Sequence, residues 1–100
     1  MYNIFMVDDH WKILIKAVVR KYLEDDYKLF VFGSRATGDF RSTSDMDIGI
    51  LGNKPADGWK MALIRDELDK SKIPYKTDVV DLFKTSPNFN KIALNKVVYL

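Results

Sequence analysis

Residues 33 to 47 read Gly33-Ser34-Arg35-Ala36-Thr37-Gly38-Asp39-Phe40-Arg41-Ser42-Thr43-Ser44-Asp45-Met46-Asp47. The run before them, Lys28-Leu29-Phe30-Val31-Phe32, is short, apolar and rich in β-formers, which predicts a buried strand ended by Gly33. A strand that delivers the chain into Gly33-Ser34, where a helix can begin, suits a phosphate. Glycine lets the ligand approach the backbone, the free amides of a first helical turn point at it, and the Ser34 hydroxyl can donate to an oxygen. Such junctions also arise for plain packing reasons. This one matches neither the dinucleotide fingerprint nor the P-loop, which would close with Gly-Lys-Ser or Gly-Lys-Thr.

The far end of the same run says more. Asp45 and Asp47 stand two apart at the start of a second strand, Asp45 to Leu51, which Gly52-Asn53 and Pro55 stop. A period of two places both carboxylates on one face and Met46 and Ile48 on the other. Two carboxylates side by side repel, and each pushes the pKa of the other upward. Among apolar neighbours such a pair has a motive when a cation sits between its members. Magnesium prefers this ligand type, taking one or two carboxylates together with substrate phosphates and water. A calcium EF-hand is excluded, because its ligand series and closing glutamate are missing.

Outward from this centre the chain divides into recognisable elements. Asp8 or Asp9 can cap a helix to about Leu23, on which Trp11, Leu14, Ile15, Val18 and Tyr22 form one apolar stripe. That periodicity assigns Trp11 to packing rather than to base stacking, and His10, the one histidine, receives no role. Asp57 opens a second helix carrying Trp59, Met61, Ile64 and Leu68 to about Ser71. Tyr75 to Phe83 reads as a third strand, and Ser86-Pro87 starts a last helix with Phe89, Ile92 and Ala93. The tail Val97-Val98-Tyr99-Leu100 can add a short strand. The order predicts an α/β or α+β fold, a sheet covered by helices, forming a single domain over residues 1–100.

A phosphate cradle and a metal clamp on neighbouring strands form the layout for activating a nucleoside triphosphate. In two-metal catalysis, ions roughly 4 Å apart stabilise the attacking and leaving oxygens of an in-line displacement, and such a site usually takes a third carboxylate. The third strand offers Asp78 and Asp81, which differ by three and so face opposite ways. Asp78, nearer the strand start, is preferred over Asp81.

Composition narrows the alternatives. With 47% hydrophobic and 30% charged residues among its 100, the chain reads as an ordinary globular protein. It has no cysteine, so disulfides and cysteine-ligated metal sites are excluded and a reducing, cytoplasmic setting is expected. No apolar run approaches the roughly 20 residues of a membrane span, and the start lacks a basic signal-peptide region. Net charge is +2 with the basic residues dispersed, which speaks against nucleic acid as the main partner.

Gly33-Ser34, ten residues, then Asp45-Met46-Asp47 resembles the signature of the DNA polymerase β-type nucleotidyltransferase superfamily. The fuller run Gly33 to Asp39, with Ser44-Asp45-Met46-Asp47-Ile48, resembles its minimal nucleotidyltransferase branch, as does Ile73-Pro74-Tyr75 leading to Asp78-Val79-Val80-Asp81-Leu82. The resemblance implies a mixed sheet flanked by helices, two magnesium ions held by Asp45, Asp47 and Asp78, and transfer of a nucleoside monophosphate from ATP or another NTP with release of pyrophosphate. It implies nucleotide contacts from Gly33 and Ser34, the latter to the terminal phosphates, with Arg35 supporting them. Larger relatives carry a second domain for the acceptor, so here the acceptor is expected from another chain. Similar minimal proteins are encoded beside a helical HEPN partner and act as antitoxins by adenylylating a tyrosine of that toxin. The alternatives are a small-molecule acceptor such as an aminoglycoside, with an acceptor site made by self-association into an oligomer, and a non-catalytic antitoxin that neutralises its partner by covering it.

Overall fold

The computed structural model of the chain describes residues 9–37 and 45–100. Its elements follow the order α1 (Asp9–Tyr22), β1 (Lys28–Phe32), α2 (Ser34–Thr37), β2 (Met46–Leu51), α3 (Gly58–Asp69), β3 (Thr77–Asp81), α4 (Pro87–Ala93) and β4 (Val98–Tyr99). Local chemistry sets most of these boundaries. The Asp57 carboxylate accepts from the Lys60 amide at 3.0 Å and caps α3, and the Ser86 hydroxyl accepts from the Phe89 amide at 3.1 Å with Pro87 in the first turn of α4. In α1, Asp9 lies in the first turn and Arg20 and Lys21 in the last, complementing the helix dipole.

The four strands form one mixed sheet in the order β3-β2-β1-β4. β1 pairs antiparallel with both β2 and β4, while β2 and β3 run parallel and are joined through α3. One face carries Leu29, Val31, Met46, Ile48, Ile50, Val79 and Val98, and is covered by Ile15, Val18 and Val19 of α1 and Met61, Ile64 and Leu68 of α3. Truncating one of the buried leucine, isoleucine or methionine chains among them to alanine would cost about 2–5 kcal/mol. Lys21 and Tyr22 of α1 both bond Glu67 of α3, at 2.7 and 2.9 Å, and tie the two covering helices together at the rim.

The opposite face holds a smaller cluster of Phe30, Phe32 and Leu82 under Ala93 of α4. Gly49 makes room for it: a Cβ there would lie 2.3 Å from the Phe30 ring, its partner across β1–β2. Among the described residues no helix is long and apolar enough to cross a membrane.

Several expectations shift. β3 is shorter than the strand expected from Tyr75 to Phe83, because pairing with β2 extends only from Thr77 to Asp81. Trp59 does not join the buried stripe of α3 and is 73% exposed. At 100° per residue it points about 160° away from Met61, which with Ile64 and Leu68 packs against the sheet. On α4 only Ala93 is buried, and Ile92 stands 78% exposed. Gly38 to Ser44, which complete the Gly33–Asp47 run, lie outside the described residues.

Candidate active site

The alternation of β2 determines what its carboxylate can meet. Met46, Ile48 and Ile50 are buried against α1 and α3, so Asp47 must emerge on the other face. There it is the cross-strand partner of Phe32 in β1 and of Asp78 in β3. Neighbouring strands lie about 4.8 Å apart, so Asp47 and Asp78 leave the sheet side by side. Asp45 immediately precedes β2. All three sites belong to one end of the sheet, where β1 also runs out into Gly33 and Ser34.

Gly33 has φ +73°, the left-handed conformation that favours glycine, and turns the chain from β1 into α2. A Cβ on it would come within 2.3 Å of the Asp47 Oδ2. The turn therefore lies directly over the carboxylate, and glycine is required both for its φ and for that approach. Ser34 opens α2, and the Ala36 and Thr37 amides donate back to the Gly33 carbonyl at 3.0 and 3.2 Å.

Burial raises the pKa of Asp47 above its ordinary value, and Asp78 and then Asp45 push it further up. The three carboxylates are thus electrostatically joined, with Asp47 at the centre. Among the described residues, however, no three carboxylate, imidazole or thiol groups gather tightly enough to hold one ion. Asp45 and Asp78 are exposed at this end of the sheet, and Asp47 between them is partly buried. The donor set still fits a hard divalent cation: oxygen ligands only, at one end of one sheet, around a carboxylate whose charge is already disfavoured by its surroundings.

Asp81 occupies the opposite face of β3 and is 6% exposed. Its Oδ2 accepts from the Ala56 amide at 2.8 Å and its Oδ1 from the Phe83 amide at 3.1 Å. Both oxygens are engaged in pinning the loop before α3 to the end of β3.

Arg35 is buried, its guanidinium 3.9 Å from the centroid of the Tyr75 ring. Tyr75 received no role from the sequence, since nothing in its spacing links it to residue 35. Equally unforeseen is a cavity of about 350 Å³ beside Gly33, bounded by Phe32, Thr37, Phe89, Ile92 and Ala93.

This fold and this acidic, glycine-roofed sheet end define a nucleotidyltransferase. Residues 15–100 match the family described as Polymerase beta, Nucleotidyltransferase, and the chain belongs to that family. Among individual proteins, it is 29% identical over 79 residues to a probable protein adenylyltransferase, MntA, of Haemophilus influenzae, across 79% of this chain and 68% of that one. Two solved structures share the fold. One is a toxin–antitoxin with AMP-PNP, at TM-score 0.71 and 22% identity over 85% of this chain and 68% of the other. The second is a tri-AMPylated HEPN toxin of Shewanella oneidensis in complex with MNT antitoxin, at TM-score 0.68 and 20% identity over 91% and 69%.

Proposed function

We propose that this chain transfers AMP from ATP to a tyrosine hydroxyl on a HEPN-type toxin and thereby acts as its antitoxin. The observation that carries this reading is the placement of Asp47 beside Asp78 and beneath the Gly33 turn. It brings a carboxylate pair and a close-approach backbone to one spot, as nucleotidyl transfer needs. The names of the relatives supply the acceptor class: a probable protein adenylyltransferase and an AMPylated HEPN toxin with its antitoxin.

In this reading Gly33 and Ser34 receive the terminal phosphates, through the backbone and the Ser34 hydroxyl, while Arg35 supports that end of the site. Asp45, Asp47 and Asp78 would hold two magnesium ions, which would supply charge neutralisation at the phosphates. The acceptor oxygen forms a bond to the α-phosphorus as the bond to the pyrophosphate oxygen breaks. Pyrophosphate leaves with that electron pair, and the hydroxyl proton passes to a carboxylate of the cluster. Asp78 is suited to that role, being exposed on β3 at the edge of the sheet.

The test is incubation of the chain with magnesium, ATP labelled at the α-phosphate, and a HEPN-type protein as acceptor. The expected result is label on a tyrosine of the partner, absent with Asp47→Ala. Tight partner binding without label would instead mean neutralisation by covering, and label only on an aminoglycoside would mean a small-molecule transferase.

A further inference from the structure

Arg35 and Tyr75 come from elements that sequence order keeps well apart, α2 and the segment entering β3. We infer that their stack is a positioning device: it clamps the turn over Asp47 to the strand that carries Asp78, and so sets the width of the site across which the triphosphate must fit. This rests on the proposed nucleotidyl transfer and specifies how that site is held.

Three observations converge on the pair. The Arg35 guanidinium lies 3.9 Å from the Tyr75 ring centroid, well inside the roughly 6 Å at which a cation is attracted to an aromatic face. Arg35 is 8% exposed, so the interaction is largely desolvated, where it is strongest. Its place in the chain matters most. Arg35 follows Ser34 directly and lies two residues from Gly33, while Tyr75 lies three residues before Asp78. Between them runs the start of β2, whose Met46 amide donates to the Lys76 carbonyl at 2.8 Å.

The sheet alone does not hold these parts in register. β1 and β3 are not paired, being separated by β2, and α2 is only four residues long. Ala36 of the same helix is also buried in the main core. The stack adds a direct tie from α2 to the segment entering β3. Arg35 therefore acts on the substrate through the position of Gly33 and Ser34, and Tyr75 is a positioning residue for the same end of the site. A planar guanidinium on a flat ring is needed for this, which a lysine does not reproduce.

A double-mutant cycle tests it, using Arg35→Lys, Tyr75→Leu and the combination, with Tyr75→Phe as the conservative replacement. The readouts are the Kd of magnesium with a nonhydrolysable ATP analogue by calorimetry, KM and kcat for AMP transfer, and the melting temperature. Tyr75→Leu and Arg35→Lys are each expected to raise Kd and KM by about tenfold or more, as small displacements of positioning groups do, with kcat less affected. The double variant should be little worse than either single one, and Tyr75→Phe should stay within about twofold of the original. Additive losses would overturn the inference, because Arg35 would then act on the phosphates without Tyr75. Tyr75→Phe as damaging as Tyr75→Leu would overturn it too, by moving the effect to the hydroxyl, and this arm stands even if Tyr75→Leu fails to fold. If the original chain binds no triphosphate at all, the proposed function fails before the clamp does.

Discussion

Asp47 of β2 and Asp78 of β3 are register partners across a parallel pairing, so their carboxylates share a face and a level of the sheet. Proteins seldom set two acids opposite each other, because like charges in direct cross-strand contact are destabilising. Here the cost falls on the better-buried member, and the pKa of Asp47 is raised by burial first and by Asp78 next. A carboxyl group with a folded-state pKa above its ordinary value of 3.8 binds its proton more tightly folded than unfolded. Its contribution to stability is therefore best at acid pH and falls as pH rises through the interval between the ordinary and the raised value.

That sign makes a measurable prediction for Asp47→Asn. Calorimetric melts of the metal-free protein from acid to neutral pH should show a falling component in the original chain that the variant lacks. At neutral pH the variant should melt no lower than the original. A clearly lower melting temperature would make Asp47 a structural residue.

Asp78 and Asp81 should part company in the same kind of experiment. Asp81→Ala leaves the buried Ala56 amide and the Phe83 amide without their acceptor, which should cost about 2–4 kcal/mol. For a domain of this size that lowers the melting temperature by more than about 8 °C. Asp78→Ala removes an exposed side chain and should change stability by no more than about 0.5 kcal/mol, while abolishing transfer. Reversed effects would exchange the two assignments.

The contrast between these two aspartates shows what was legible in the sequence. Strand period two was enough to separate their faces, because it follows from backbone geometry alone. It also placed Asp47 on the face opposite Met46 and Ile48, where the structure has it. Which face of β3 belongs to the site depends on register with β2, a long-range relation that period two cannot supply, so the preference for Asp78 over Asp81 rested on its place nearer the strand start. The Arg35–Tyr75 stack is less legible still: residues forty apart carry no period that links them. The exposure of Trp59 and Ile92 was hidden for a related reason, since an apolar residue type does not say which helix face meets the sheet.

Gly33 offers a test of the turn over Asp47. Gly33→Ala forces an L-residue into φ +73°, which costs about 1–2 kcal/mol, and sets a Cβ 2.3 Å from the Asp47 Oδ2. The carboxylate is the movable partner and will swing aside. Folding should survive with a modest drop in melting temperature, while kcat falls by about a hundredfold through misplacement of Asp47. Retained kcat with the same loss of stability would show that the turn serves the fold alone.

Magnesium should act on the carboxylates in the opposite sense to protonless crowding. An ion that binds only the folded state, at ten times its dissociation constant, adds about 1.4 kcal/mol. For a chain of this length that raises the melting temperature by roughly 5–10 °C. Magnesium together with a nonhydrolysable triphosphate should raise it further than the two separate effects combined, because the phosphates and the carboxylates complete one ligand set. The increment should shrink as pH falls, since the proton and the ion compete for Asp47, whose raised pKa extends that competition upward from the ordinary carboxylate range. In Asp47→Asn the magnesium increment should be nearly absent, even though the metal-free variant is at least as stable as the original. These two results together separate a ligand from a structural acid, because a structural acid would lower the baseline and leave the increment. A magnesium increment of equal size in both proteins would remove Asp47 from the metal site and, with it, the proposed role of the Asp47–Asp78 pair.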